Sequence, residues 1–387
     1  MDKLLQLVHV SDLHFGDHLL NPSWMLTARM AGGLATHDLD AALALTDSVD
    51  IQRLSGLDTR VVATGDLTTW GSTNAFGTAL TFLRNRSAAG PAKYAGLDDP
   101  DSAVVPGNHD IWNVMQRYAA GGLGLPTSLR GDFDLFFTPP VPSPHSGTYF
   151  PYGVRIPCGP VAVYLYGLDS NRLELAPYPL LQTLGLSIIA SGYVPPAQLD
   201  ELENLCLPAE LDEPRIRLAA IHHPLAYKSI NSIPWWYVKK LINLDEVLGR
   251  LQDMGFAAAL VGHEHSGFAQ KANAAYRKRT LEVLSAGTST QLVYLDSAQR
   301  ALLARGYADL APDEQPAWLA AMSETNEYRT YVFEADPGVD FAGDHIPPEA
   351  LAAEVLEFKY SPDDYEFKRV DPIEGPYRVP LGDYVIK

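Results

Sequence analysis

Six short apolar runs in this chain each stop at a polar cluster, and that repeated shape limits the fold more than any other feature. Three are Leu4–Val10 before Ser-Asp, Arg60–Thr64 before Gly-Asp, and Ala103–Val105 before Pro-Gly-Asn. The others are Ile216–Ile221 before His-His-Pro, Ala257–Val261 before Gly-His, and Leu281–Leu284 before Ser-Ala-Gly. Runs this short, rich in Val, Leu and Ala and sharply bounded, predict buried strands rather than helices. Between them, Asp38–Leu54, Ser72–Arg86, Pro196–Cys206 and Leu244–Asp253 read as helices. The last has Asn243 at its start and Gly255 just past its end, both ordinary helix boundaries. Strands alternating with helices predict an α/β fold in which helices cover the sheets. The polar clusters then fall at the carboxyl ends of strands, where open α/β sheets place their ligands.

Three stretches read as insertions into a core of about residues 4–292. They are 111–158, rich in Gly, Pro and aromatics; 171–195, apolar but broken by Pro and Gly; and 293–325, helical around Pro312 and Pro316. Beyond them, over about 326–387, Tyr328–Glu334, Glu354–Tyr360 and Tyr365–Val370 alternate as strands do. With no internal repeat and no flexible linker, residues 1–387 are expected to form a single elaborated domain.

The balance of charge narrows the partners. A formal net charge of −18 argues against nucleic acid or an anionic membrane surface, because binding a polyphosphate needs clustered Lys and Arg. An acidic surface can still hold a locally cationic site if metal ions supply the positive charge. The two cysteines, Cys158 and Cys206, belong to no CxxC or zinc spacing and read as reduced and structural. No run approaches the roughly 18 apolar residues of a membrane span. The first strand begins almost at once and carries polar residues of interest at its end, so no cleaved leader is expected. A soluble cytoplasmic protein of open oligomeric state is the expectation.

Five clusters carry the chemistry: Asp12-x-His14, Gly65-Asp66, Gly107-Asn108-His109-Asp110, His222-His223-Pro224 and Gly262-His263-x-His265. Carboxylate, imidazole and amide oxygen are ligands for hard or borderline divalent metals. At a strand end, residues i and i+2 project to one side, so Asp12 and His14 can grip one ion together. His263 and His265 can face one site from a single loop, and the neighbouring glycines permit tight turns. Taken singly, each motif is also an ordinary turn or polar pair; five in order, each after a strand-like run, point to a site.

The ordered set resembles the calcineurin-like metallophosphoesterase superfamily, whose pattern runs D-x-H, G-D, G-N-H-[DE], H, G-H-x-H. The resemblance covers about residues 8 to 290 and fills every metal-binding position of the pattern. It implies a four-layer sandwich of two mixed β-sheets flanked by helices. It also implies that Asp12, His14 and His265 hold a first metal, that Asn108, His222 and His263 hold a second, and that Asp66 bridges both. His109 is implied as the acid that protonates the leaving oxygen. In many relatives an acidic residue stands three positions after the bridging aspartate and orients that histidine. Thr69 stands there in this chain, so either Asp110 takes the role or His109 is held less firmly.

Two divalent ions bring about +4 and Asp12 with Asp66 about −2, leaving a centre of about +2 that attracts phosphate. Hydroxide held between the ions is the expected nucleophile. Mn, Fe and Zn suit this mixed ligand set equally well. The segment Gly65-Asp66-Leu67-Thr68 followed by Gly71 resembles the small-molecule branch of the superfamily, which cleaves cyclic nucleotides or glycerophosphodiesters. A small organic phosphodiester is therefore the expected substrate, with a phosphomonoesterase or a nuclease as alternatives. A reading from another class is a silent binding scaffold of the same fold; such proteins typically lose metal-site histidines, and none is missing here. His18 sits just after the first motif and can touch substrate. Trp235, Trp236 and Tyr237, beside Lys239 and Lys240, either cap the pocket or anchor the helix that follows. The same choice applies to Trp112, Arg117 and Tyr118. His223 is expected to pack or hydrogen-bond behind the ligands, and His9, His37, His145 and His345 to be structural or exposed.

Overall fold

The computed structural model describes residues 1–16, 39–69, 71–85, 96–112, 128–137, 149–176, 191–206, 213–226, 241–263, 268–272, 280–290, 326–343, 345–361, 364–370 and 377–386. Among these, the strands of the amino-terminal part are β1 (Asp2–Val10), β2 (Asp58–Ala63), β3 (Ala103–Val104), β4 (Tyr152–Cys158) and β5 (Val161–Gly167). There follow β6 (Arg215–Ile221), β7 (Phe256–Val261), β8 (Phe268–Ala272) and β9 (Leu281–Ser285). The last are β10 (Glu327–Ala335), β11 (Leu351–Ser361), β12 (Glu366–Val370) and β13 (Tyr377–Pro380). The helices are α1 (Leu39–Arg53), α2 (Thr73–Arg84), α3 (Asn108–Ile111), α4 (Arg130–Phe136), α5 (Pro196–Cys206) and α6 (Leu244–Asp253).

Two mixed sheets result. The first runs β12-β11-β10-β1-β2-β3, with β13 also on β11, and its β1, β2 and β3 are parallel. The second runs β4-β5-β6-β7-β9-β8, parallel from β5 to β9 with antiparallel strands at both edges. This is the α/β architecture of two mixed sheets with helices that the sequence implied.

Side-chain alternation along the second sheet shows how the layers stack. In β5, Val161, Val163 and Leu165 join the cluster shared with the first sheet, while Ala162, Tyr164 and Tyr166 pack with α5 and α6. Strand β6 divides in the same way, with Ile216, Leu218 and Ala220 on one face and Ala219 and Ile221 on the other. Between the sheets, Leu218, Leu260 and Leu284 meet Tyr331, Phe333 and Val379. Both faces of these central strands are thus apolar, as parallel strands covered on two sides require.

All six apolar runs are strands, and the four expected helices are present within a residue or two of their expected ends. Ser72 caps α2 with its hydroxyl on Ala75 N, and Gly255 follows α6 at φ +75. The region 111–158 departs from its reading as an insertion, because its end is β4, an edge strand of the second sheet. Gly153 and Pro157 are tolerated there since an edge strand need not pair on both sides. Strand β5 was not among the six runs at all, although every residue in it is buried. The helical reading of 293–325 lies outside the described residues.

Candidate metal centre

Beyond β1 and β2 the two chains stay zipped together. Asp12 N donates to Gly65 O (2.9 Å), His14 N to Asp66 O (2.9 Å), and Phe15 N to Leu67 O (2.8 Å). The backbone is not extended here: Asp12, His14 and Asp66 take φ +53, +52 and +50. The expected strand-like projection of Asp12 and His14 is therefore replaced by two left-handed turns, which swing both side chains inward. Asp12 Oδ1 ends 3.8 Å from His14 Nε2. Hydroxyls brace this loop from β9's end, with Thr288 Oγ1 donating to Asp12 O (3.2 Å) and Thr290 Oγ1 to Leu13 O (2.8 Å).

Glycine is obligatory at two neighbouring positions. Gly65 has φ +91 and a Cβ there would lie 2.6 Å from His222 Nδ1, while one on Gly107 would lie 2.0 Å from Asp66 Oδ1. The close approach of these loops brings β3's end, with Asn108, against Asp66. Strands β6 and β7 deliver the remaining groups from the second sheet. His222 Nε2 lies 3.1 Å from Asn108 Oδ1, 3.1 Å from His263 Nδ1 and 3.5 Å from Asp66 Oδ1. Its other nitrogen, Nδ1, is 2.7 Å from Thr64 O and donates to it, which leaves Nε2 with a lone pair for a ligand. His263, at φ +66, donates its backbone N–H to Asp12 Oδ2 (3.1 Å).

Two triads emerge: Asp12, His14 and Asp66, and Asp66, His222 and His263, each with donor atoms within 4.8 Å of one another. Donors about 2.0–2.2 Å from a common ion are necessarily this close together. With Asn108 beside the second triad, the donor chemistry suits divalent cations. Asp66 belongs to both triads. The residues present fit two ions sharing one carboxylate.

Electrostatics agree with that fit. Burial, and then the neighbouring Asp66, push the Asp12 carboxyl well above the ordinary carboxylate range. The same two causes raise Asp110. Burial lowers His222, keeping it in the neutral form that binds metals.

His109 differs from the buried ligands in being 14% exposed. Its backbone N–H donates to Asp66 Oδ1 (2.9 Å) and its Nε2 lies 4.0 Å from Asp66 Oδ2. Its Nδ1 lies 3.1 Å from Thr69 O. The position that carries an acidic side chain in many relatives thus holds the ring through a main-chain carbonyl. Asp110 does not orient His109. Its carboxylate instead accepts from Gly107 N (2.9 Å), Leu67 N (3.1 Å), Thr68 N (2.9 Å) and Thr68 Oγ1 (3.0 Å), clamping two loops together.

His223 packs behind the ligands as expected, with Nδ1 2.7 Å from Ser170 Oγ and its ring centroid 4.7 Å from that of His263. His345 is exposed and Trp112 is buried in the core, so Trp112 is not a substrate-facing ring. His265, His18, Trp235, Trp236, Tyr237, Arg117, Tyr118, His37 and His145 lie outside the described residues. The sequence did not mark the groups that hold these side chains: Ser11 Oγ, which donates to Asp12 Oδ2, the Thr64 carbonyl behind His222, the Thr69 carbonyl behind His109, and Ser170 beside His223. The hydroxyls at 288–290 had a signal, since a polar cluster ends that apolar run too.

The family model for the calcineurin-like phosphoesterase matches residues 5–267. The chain belongs to this family. As a calcineurin-like phosphoesterase it is a metal-dependent phosphoester hydrolase. No curated protein matches it closely enough to be counted. Among solved structures, this phosphoesterase is similar to the purple acid phosphatase PPD1 of yellow lupin (Lupinus luteus), with 11% identity and a TM-score of 0.45. That match covers 95% of this chain and 53% of the lupin protein. It is also similar to GAP50, the anchor in the inner membrane complex of Plasmodium, at 10% identity and TM-score 0.43, covering 92% and 85%. The 5′-nucleotidase of Candida albicans matches at 11% identity and TM-score 0.38, covering 94% and 53%. The phosphoesterase spans about half the length of the lupin and Candida proteins. No helix among its described residues is long and apolar enough to cross a membrane.

Proposed function

We propose that this phosphoesterase hydrolyses a small organic phosphodiester at a centre for two divalent ions. The observation that carries the reading is that Asp66 belongs to both ligand triads. In this proposal Asp12, His14 and His265 hold one ion, Asn108, His222 and His263 the other, and Asp66 both. Mn, Fe or Zn in the centre supplies Lewis acidity toward the phosphate oxygens and makes water a nucleophile near neutral pH.

The protein's own groups do the rest. Thr64 O fixes His222 with Nε2 inward. Thr69 O fixes His109 so that its Nε2 faces the centre, where a protonated ring can hand its proton to the departing ester oxygen. Its partial exposure fits a group that meets substrate. Asp110 is a positioning residue that locks the Asp66 loop to the Asn108 loop. The preference for a diester is supported by the Gly65-Asp66-Leu67-Thr68 segment and Gly71, and the small-molecule partner, rather than nucleic acid, by the net charge of −18. Contact with substrate by His18, Trp235, Trp236 and Tyr237 belongs to the same reading. A cytoplasmic location does too, supported by two buried cysteines that are free thiols.

Bis-p-nitrophenyl phosphate, p-nitrophenyl phosphate and 3′,5′-cyclic AMP, each assayed with added Mn²⁺, test the proposal. Turnover of a diester in excess of the monoester is expected. Activity on the monoester alone would overturn the diester assignment and leave the metal centre standing.

A further inference from the structure

A buried imidazole lies beneath the centre. His9 is on β1, fully buried, among strand neighbours Val8 and Val10 that are pure core. An apolar residue would fill that place without the cost of burying two polar nitrogens. Both nitrogens are engaged: Nε2 lies 2.9 Å from Thr64 Oγ1 and Nδ1 lies 3.0 Å from the Tyr331 hydroxyl. In either tautomer one nitrogen donates and the other accepts, so the ring links the two hydroxyls whichever way the protons point.

Thr64 is where this link meets the centre. Its carbonyl accepts from His222 Nδ1 at 2.7 Å and from Ser11 Oγ at 3.3 Å, and Ser11 Oγ also donates to Asp12. Its backbone N–H donates to Val10 O at 3.0 Å, the last bond before the chain turns at Gly65. Past that residue the backbone leaves the regular sheet with Gly65 O still paired to Asp12 N, and the Thr64 carbonyl is aimed both by that pairing and by what grips its side chain. Gly262 closes the other side, where a Cβ would come within 2.6 Å of the same carbonyl oxygen.

We propose that His9 is a positioning residue for the metal centre: by holding the Thr64 hydroxyl against Tyr331, it aims the Thr64 carbonyl that orients His222. The inference rests on the reading of His222 as a metal ligand. Groups that orient a metal-binding histidine typically change metal affinity ten- to hundredfold when lost. The ion held by His222 and His263 therefore depends on His9 more than the ion held by Asp12 and His14, which the Thr64 carbonyl reaches only through its longer contact with Ser11.

Equilibrium dialysis of the full chain against graded Mn²⁺, with bound metal measured by elemental analysis, tests this. Wild type is expected to take two ions per chain. His9→Leu should weaken one of them by about ten- to hundredfold and the other clearly less. His9→Gln, whose amide can reach Thr64 from the Nε2 position, should restore binding. Thr64→Val breaks the same link without touching His9 and should reproduce the loss, so the test survives if His9→Leu does not fold. Wild-type affinity for both ions in Thr64→Val and in any folded His9→Leu overturns the inference, whatever happens to thermal stability. So does equal weakening of both ions. A wild type that binds no Mn²⁺, Fe²⁺ or Zn²⁺ sinks the metal-centre reading itself, which is a different failure.

Discussion

The two sheets contribute unlike halves to the site. From the first come carboxylates, Asp12, Asp66 and Asp110, with the amide of Asn108 and one imidazole, His14, all buried. From the second come imidazoles, His222, His223 and His263, equally buried. The anionic half is rigid through its own main chain, zipped from Asp12 to Phe15 against Gly65 to Leu67. The imidazole half leans on the other: His222 is tied to Thr64, and His263 N–H to Asp12. The difference teaches where each kind of ligand needs help. Buried carboxylates need positive charge, which the ions bring, whereas neutral rings need only direction, which a carbonyl provides.

The largest effect is expected for Asp66→Asn. If the anionic half serves both triads, this change should release both ions and lower kcat/KM by more than about a thousandfold, beyond the ten- to hundredfold seen for orienting groups. His222→Ala should release only one. Metal content after dialysis distinguishes them, and two ions retained in Asp66→Asn would refute the sharing.

His109 sits at the rim of the anionic half, tied to the Asp66–Thr69 loop yet partly exposed. His109→Ala is expected to slow esters with poor leaving groups by about a hundredfold or more, and p-nitrophenyl esters far less, since those depart without a proton. Steady-state rates on a leaving-group series decide it; equal losses throughout would remove the acid role.

Within the anionic half, Asp110 is a carboxylate placed for clamping rather than for metal. Asp110→Asn loses acceptor capacity toward three backbone N–H groups and a hydroxyl. A stability loss of about 1–3 kcal/mol is expected, read from urea midpoints, with two ions still bound in the folded fraction.

The smallest effect concerns a neutral ring. Burial, with Arg329 nearby, pushes His9 down to about 3 from its ordinary 6.5. The unfolded chain therefore takes up a proton as pH falls below 6.5 while the native one does not, so acid favours unfolding until pH reaches about 3. Relative to His9→Gln, wild type should lose about 1 kcal/mol between pH 6.5 and 5.5, and the difference between their urea midpoints measures it.

How much of this could be read from the sequence follows from which atoms do the work. Candidate metal donors are side chains of few types that sit where apolar runs end, so the sequence already marks Asp12, His14, Asp66, Asn108, His222 and His263 as a set, and the structure brings these six together. What holds them is largely main chain. Any residue offers a carbonyl, so nothing in the letters at 64 or 69 marks the acceptors for His222 and His109. The sequence therefore suggested Asp110 for the second task, by proximity alone. Strand β5 has the same shape, an apolar run that stops at Asp169-Ser170-Asn171, but that cluster matches none of the five metal-type motifs, although Ser170 there supports His223. Edge strands such as β4 and β13 carry turn residues that a central strand would exclude, and so resemble loops.

Four of the candidate donors, Asp12, His14, Asp66 and His263, occupy left-handed backbone that side chains other than glycine enter only at a cost. Each such residue carries on the order of 1 kcal/mol of conformational penalty. Two of them are also carboxylates that sit uneasily beside each other in a dry interior. Replacement by glycine at these places would therefore relieve the backbone, giving a descendant that is sturdier and idle. Working copies of this protein persist only while selection for turnover outweighs that drift toward comfort.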